Sequence, residues 1–541
     1  MKRANLLFLL TASLVLMVHL ATDPVSEPFF YNDETRHVMT GVFIRDALMD
    51  LPTSATDPAG YAVRYYGQYP ALGLLTWPPL FYLLEGLAMV AFGTSFLVGR
   101  SVIGLFTLLA GWYAYRLVCR THPTWTGLLV VLLIGFSPVV YEHSRRVMLE
   151  LPTLALVLAA IFHFERYLSE LRPRDAVQAC LFAALAALMR FDAVVLLPFF
   201  LIRLVSTRNL GLLIRRPVVF GLMLALMLTL PYYWLTWNLY AAGLSKTALE
   251  GASTGGPAVL TLDHMLYYPR TLPVQVGWFM TAAATAGAVV AFAQPNRPTG
   301  WAAALWMATY ALFTPLAELD SRHVIYWVPA VALFSAEAIR WLVCRNTPVG
   351  VLAATLLVVG TAGDAITRPA WWLQGYETAA RYVVDQTTGE RPVLMDGLLN
   401  GSFIYHTRQA DSARRLWILR GDKLLYSMFS DPNMACTEHV QTEADVLALL
   451  HNYDPELIIV EQPQLVYRIR AADLLRETLK TYPDRFRLEF TTPIHSNHHN
   501  HFAGARLEIY RKLDRNPNPV RTVELPVFGL GQTLQATRSE P

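Results

Sequence analysis

The sequence is short of charge. Asp, Glu, Lys and Arg make up 16% of its 541 residues, where soluble domains carry about a quarter. That deficit excludes an ordinary soluble protein. Cysteine is also scarce, at four residues. Cys119, Cys180 and Cys344 fall in or beside apolar segments and Cys436 lies in the polar C-terminal part, so no disulfide framework is implied. There is no glycine-rich phosphate loop, no dinucleotide fingerprint and no internal repeat. The net charge of +3 comes without a basic run, which leaves no case for nucleic-acid binding.

Long apolar runs fill the space that charge leaves. Hydrophobic residues reach 54% and mean hydropathy is +0.34, the profile of a polytopic α-helical membrane protein. About eleven membrane helices are predicted, near 4–21, 99–118, 124–140, 151–168, 175–189, 191–206, 217–238, 273–293, 300–317, 324–342 and 348–364. The first is read as an uncleaved helix, because His19, Leu20 and Ala21 make a poor small-x-small cleavage site.

Charge bias orients these helices. Lys2 and Arg3 keep the N-terminus inside. The short inner loops then hold Arg116 and Arg120; Arg166, Arg172 and Arg174; Arg203, Arg208, Arg215 and Arg216; Arg297; and Arg340 and Arg345. This pattern survives only if the apolar stretch 78–94 does not cross. Its Pro78-Pro79 start, its Glu85 and its short length suit an interfacial helix on the outer side. The expected layout is a transmembrane domain over 1–364, including an outer loop 22–98, and an extracytoplasmic domain over 365–541.

That C-terminal part is polar and mixed. Helical patterns over 376–385, 443–451 and 471–480 alternate with strand patterns over 392–395, 416–419, 457–460, 487–491 and 506–510. An α/β domain is expected, with an irregular tail after about 515.

Charged residues gather at the outer helix junctions. Asp33 and Glu34 follow the first span; a carboxylate in a membrane-facing cleft suits a general base, while solvated loop residues or a helix cap over 34–49 would look the same. Arg145, Arg146, Glu142 and Glu150 cluster at another junction. Arginine offers a fork for phosphate, and surface ion pairs are the competing reading. Arg190 and Asp192 sit between two short helices, where charges pair with each other or line a site. Asp320-Ser321-Arg322-His323 precedes the helix near 324–342 and suits a lipid phosphate. Trp77 to Tyr82 reads as an aromatic belt at a helix start. His495, His498, His499 and His501 form a patch without the spacing of a defined metal site.

The order of these pieces resembles a known family. It runs from Asp33-Glu34 through Pro78-Pro79-Leu80-Phe81-Tyr82, Phe92-Gly93-Thr94-Ser95 and Arg100-Ser101 to Ser137-Pro138, Arg145, Glu150 and Arg322-His323. Over about the first 365 residues the chain is similar to GT-C membrane glycosyltransferases of the protein O-mannosyltransferase and lipid A aminoarabinose transferase group. The resemblance implies an inverting transfer of a sugar from a polyprenyl-phosphate donor to a glycan, lipid or protein acceptor at the outer face, in a multi-pass plasma membrane protein of bacterial type. It implies Asp33 as general base and Glu34 as a helper or cation ligand, with a divalent cation beside the pair left open. Arg145, Arg190, Arg322 and His323 are the implied phosphate holders, and Tyr82, Glu150 and Asp192 the implied pocket residues. Many relatives carry Lys directly before the Pro-Pro pair; here the residue is Trp77. The rival readings are a lipid or solute transporter or flippase, which would favour internal symmetry, and a non-catalytic assembly or sensor protein.

Overall fold

The computed structural model describes residues 2–22, 32–74, 76–253, 261–293, 299–316, 319–369, 371–428, 436–464, 469–498, 502–526 and 533–538. Each predicted apolar segment contains helix. Among the described residues five helices are long and apolar enough to cross a membrane: Ala4–Thr22, Phe96–Val118, Glu150–Glu170, Arg216–Leu239 and Thr347–Ile366. The chain is a multi-pass membrane protein.

Burial separates the roles of these helices. Glu150–Glu170 is central, with 83% of its apolar window buried, whereas the figure for Arg216–Leu239 is 6%. The second helix therefore turns Phe220, Met223, Met227, Trp234 and Trp237 outward, as a lipid-facing rim requires. The first helix is keyed into the bundle by His19, whose ring nitrogens meet Gly135 O at 2.9 Å and Ser144 Oγ at 2.7 Å.

The span expected over 273–293 is not one straight helix. Leu262–Val276 and Trp278–Phe292 meet at 120°. Gly277 is the hinge: its φ of +92° lies where residues with a Cβ are strained. Pro273 and Gly277 sat inside an apolar run, so hydropathy alone did not reveal the break. Likewise the segment near 124–140 divides into Thr124–Phe136 and Pro138–His143, because Pro138 cannot donate a helix hydrogen bond.

Outside the bundle, Asn32–Met49 forms a continuous helix that packs against Leu80–Phe92. The latter buries Phe81, Tyr82, Glu85 and Met89 and exposes Leu83, Leu84, Leu87 and Phe92. A Cβ on Gly41 would meet Glu85 Oε2 at 2.3 Å, so the two helices approach at the small residue.

The C-terminal region is α/β. Its five-stranded sheet has the order Ile418–Arg420, Val393–Asp396, Leu457–Gln462, Arg506–Lys512, Phe486–Pro493. The first three strands are parallel and the last two antiparallel. Val393–Asp396 and Leu457–Glu461 are buried along their length, as a sheet covered on both faces demands. The predicted helices appear as Tyr376–Gln386, Glu443–Tyr453 and Arg470–Thr481.

Two features differ from expectation. Asn400–Ala410 is an additional helix. The tail after 515 is also more regular than expected: Thr522–Pro526 pairs with Thr533–Thr537 as an antiparallel hairpin. The hairpin lies on the helix Pro58–Gln68, where Gly67 leaves room for Ala536. Local propensity is weak in such a segment, and packing against the other part of the chain decides it.

The C-terminal region is clamped by charge to the helices that follow the first span. Asp46 Oδ2 accepts Arg408 Nη2 at 2.7 Å, Arg408 Nε at 3.0 Å and the Tyr65 hydroxyl at 2.6 Å. Asp50 takes the Arg414 fork at 2.6 and 2.7 Å. Arg420 Nη1 donates to Pro70 O at 2.6 Å. Asp46, Tyr65 and Arg408 are all buried. Tyr65→Phe removes one donor to a buried carboxylate and should lower stability by about 1–2 kcal/mol, read as a fall in melting temperature of the detergent-solubilised protein.

Candidate active site

The N-terminal turn of Asn32–Met49 places Asp33, Arg36 and His37 on one helix face, three and four residues apart. The Asp33 side chain is 39% exposed; it lies 3.6 Å from Arg36 Nη1 and 3.8 Å from Arg322 Nη1. It is therefore a partly exposed carboxylate within reach of two guanidiniums.

Glu34 has a different setting. It is buried, accepts the Val147 N–H at 3.1 Å and lies 3.7 Å from Arg100 Nη2. Neighbouring residues on a helix are turned about 100° apart, so the two carboxylates do not share one seat. Glu34, expected as a helper or cation ligand, ties its helix to the loop at Val147. Among the described residues no group of three or more His, Cys, Asp and Glu side chains forms a metal cage, and the acidic pair does not fit one.

Glu150, at the start of the central helix, is fully buried. Its Oε1 accepts Arg190 Nη1 at 2.7 Å and lies 3.5 Å from Arg322 Nη1. Arg190 Nε donates to Asp192 Oδ2 at 2.6 Å. Asp192 Oδ2 is also 3.9 Å from His323 Nε2 and 3.4 Å from the Tyr326 hydroxyl. Arg322 Nε donates to Asp320, and the Tyr268 hydroxyl is 3.0 Å from His323 Nδ1. Asp33, Glu150, Arg190, Asp192, Arg322 and His323, six of the nine expected site residues, thus form one connected row.

Exposure divides the two arginines. The Arg190 side chain is 4% exposed and the Arg322 side chain 32%. Arg322 is the one that can reach a ligand; Arg190 holds two carboxylates in place. Burial, opposed by Asp192, pushes the His323 imidazole below its ordinary pKa. Its ring stacks on Phe313 with centroids 4.1 Å apart.

Trp77 packs against the buried Arg190. The Arg190 guanidinium lies 4.9 Å over its ring, a cation–π contact that braces the buried arginine. Tyr82 is buried behind His37, with 2.8 Å between its hydroxyl and His37 Nδ1. Burial pushes His37 down to about 4, and its partners in electrostatic reach are Asp33, Glu150, Arg190 and Arg36. His37, four residues after Asp33, escaped the sequence reading.

Arg145, an expected phosphate holder, sits at the end of the first helix. Its guanidinium lies 3.9 Å over the Tyr141 ring and donates to the backbone oxygens of Tyr141 and Thr22. It pins the end of the first helix. Arg146 pairs with Glu142 at 3.0 Å. In the histidine patch, His498 packs edge-on against Trp371 at 4.3 Å; His499 and His501 lie outside the described residues.

An apolar cleft of about 300 Å³ adjoins the row. Leu262, Met265, Leu272, Trp306, Tyr310 and Trp327 line it, and Tyr268 closes its end. Through its hydroxyl Tyr268 links the cleft to His323.

Three solved structures share this fold at low sequence identity. ArnT from Cupriavidus metallidurans, bound to undecaprenyl phosphate, matches with a TM-score of 0.61 at 12% identity, covering 93% of this chain and 97% of that one. The Archaeoglobus fulgidus oligosaccharyltransferase in its apo form gives 0.52 at 11%, covering 84% and 69%. The mycobacterial arabinofuranosyltransferase AftD gives 0.54 at 13%, covering 94% of this chain and 42% of that longer one. The model of the dolichyl-phosphate-mannose-protein mannosyltransferase family matches residues 76–237, less than a third of the chain. No curated protein matches it in sequence. The fold is the GT-C fold.

Proposed function

We propose that this chain is an inverting glycosyltransferase that moves a sugar from a polyprenyl-phosphate donor to an acceptor hydroxyl at the outer face of a bacterial plasma membrane. One observation carries the reading: Asp33, a solvent-open carboxylate, lies 3.8 Å from the partly exposed Arg322 beside an apolar cleft.

In this reading the acceptor oxygen attacks the anomeric carbon from the side opposite the phosphate. Its proton passes to Asp33, the new C–O bond forms, and the bond to the phosphate oxygen breaks with inversion. Polyprenyl phosphate leaves with the charge. Arg322 holds that charge as it builds, with Glu150, Arg190 and Asp320 fixing the guanidinium in advance. The lipid tail lies in the cleft lined by Met265, Trp306 and Trp327. The arginine-rich loops argue for the cytoplasmic side opposite the site. No observation favours the transporter reading.

Undecaprenyl phosphate should therefore bind the purified protein and compete with the sugar-loaded donor. A bulky Met265→Trp in the cleft should weaken this binding about tenfold, the scale of one displaced apolar contact group. A short-chain water-soluble polyprenyl phosphate should lose much less. Equal losses for both chain lengths, or no binding by wild type, would remove the donor assignment.

A further inference from the structure

Glu85 has no place in the ionic row. It stands in Leu80–Phe92, the helix that packs on Asn32–Met49, and it is fully buried. Glutamate is almost never buried to that degree without a partner. Yet neither of its carboxyl oxygens has a hydrogen bond among the described residues.

Three helices meet at this carboxyl, and each offers a glycine. A Cβ on Gly41 of Asn32–Met49 would lie 2.3 Å from Glu85 Oε2. A Cβ on Gly99 of Phe96–Val118 would lie 2.6 Å from Oε1. Gly86, next to Glu85, lets the two backbones approach: its Cβ would be 3.1 Å from Gly41 O and 2.6 Å from Ile44 Cγ2. The carboxyl therefore fills a seat that small residues leave open.

The charged and titratable groups around the seat are engaged elsewhere. Tyr82, on the same helix as Glu85, meets His37 of Asn32–Met49 at 2.8 Å. Also on Asn32–Met49, Glu34 lies 3.7 Å from Arg100 of Phe96–Val118, and Asp46 pairs with Arg45 at 2.8 Å. Tyr405 of Asn400–Ala410 turns its hydroxyl to Thr94 O at 3.3 Å. An ionised carboxylate in such a seat would lose its hydration without compensation. Burial accordingly pushes Glu85 well above the usual carboxylate range.

We propose that Glu85 is a positioning residue for Asp33: as a neutral acid it seats the helix Asn32–Met49 at Gly41, and on ionisation it draws in water and opens that seat. The role of Asp33 in this proposal rests on the glycosyltransferase reading; the seat does not. Gly41 and Asp33 belong to one unbroken helix, about 12 Å apart along its axis. A displacement of about 1 Å at a reacting group can cost about 10²-fold in rate. The sign follows from burial. The folded state holds the proton more tightly than the opened state, so the seat is firmest at low pH and weakens as pH rises between the two values.

The test is hydrogen exchange of the full-length protein in lipid nanodiscs, read by mass spectrometry. Wild type is compared with Glu85→Gln at each pH, which cancels the pH dependence of the exchange chemistry. Glutamine keeps the shape and cannot ionise. Between about pH 5.5 and about pH 7.5, above the ordinary range of glutamate, opening of 38–44 and 81–89 should rise at least about tenfold in wild type relative to the variant. The helix Arg470–Thr481 should show no such divergence. A ratio that stays level with pH, or an equal divergence in Arg470–Thr481, would overturn the seat. In sugar transfer, wild-type kcat should fall towards alkaline pH with the KM for donor steady, while Glu85→Gln holds kcat level over the same range. Parallel falls in both would overturn the positioning role. Exchange needs no turnover, so a failure to detect transfer would count against the glycosyltransferase reading alone.

Discussion

Asp33→Asn should leave the protein folded and able to bind undecaprenyl phosphate while sugar transfer falls by about 10²–10⁴-fold, the range attributed to a positioned general base. Asparagine keeps the size of the side chain and its access to the cleft. It loses the capacity to take a proton from the acceptor hydroxyl. It also loses the charge that draws Arg36 and Arg322 to either side; both pairs are partly exposed, so the structural cost is small. The fall should appear in kcat with little change in the KM for donor, because the proton transfer belongs to the transition state. A variant that turns over at the wild-type rate would remove Asp33 as the base. Neighbouring Glu34, held by Val147 and Arg100, is not expected to substitute for it.

Arg190→Ala should have the largest effect on stability. Arg190 compensates Glu150 and Asp192 at 2.7 and 2.6 Å, and Glu150 is wholly buried with its second oxygen already lacking a hydrogen bond. Removing one partner of such a cluster leaves buried charge behind, at a cost of about 3–5 kcal/mol. The Trp77 face would lose its guanidinium as well. A large fall in melting temperature, with loss of activity even for the fraction that stays folded, is the expected result; an unchanged melting temperature would show that Arg190 is not the brace of the row. Arg190→Lys should recover only part of the loss, because an ammonium cannot present the planar fork that spans both carboxylates.

Much of the site was legible one residue at a time. Asp33, Glu150, Arg190, Asp192, Arg322 and His323 stood out because charge is rare in this chain and these charges lie at helix ends. What the sequence left open was which of them meet. Arg145 and Arg322 look equally suited to phosphate as isolated arginines. Arg145 instead folds over Tyr141, one helical turn away, and reaches Thr22 at the end of the first helix, a residue far off in the chain. His37 and Arg36 were passed over because a spacing of three or four has meaning only once the segment is known to be a helix.

The fold shows the same division. Hydropathy and arginine bias located the apolar helices, and alternating patterns located the five strands of the main sheet, because these follow from local periodicity and from transfer between water and lipid. The bend at Gly277, the terminal hairpin and the clamp of Arg408 on Asp46 came from tertiary structure, because each depends on a partner distant in sequence. The scarcity of charge determined by itself that this is a membrane protein and that its few clustered carboxylates and arginines matter. Only tertiary structure decided that Asp33 faces Arg322 while Glu34 turns away: helix rotation sends adjacent side chains to different neighbours, and long-range packing chooses those neighbours.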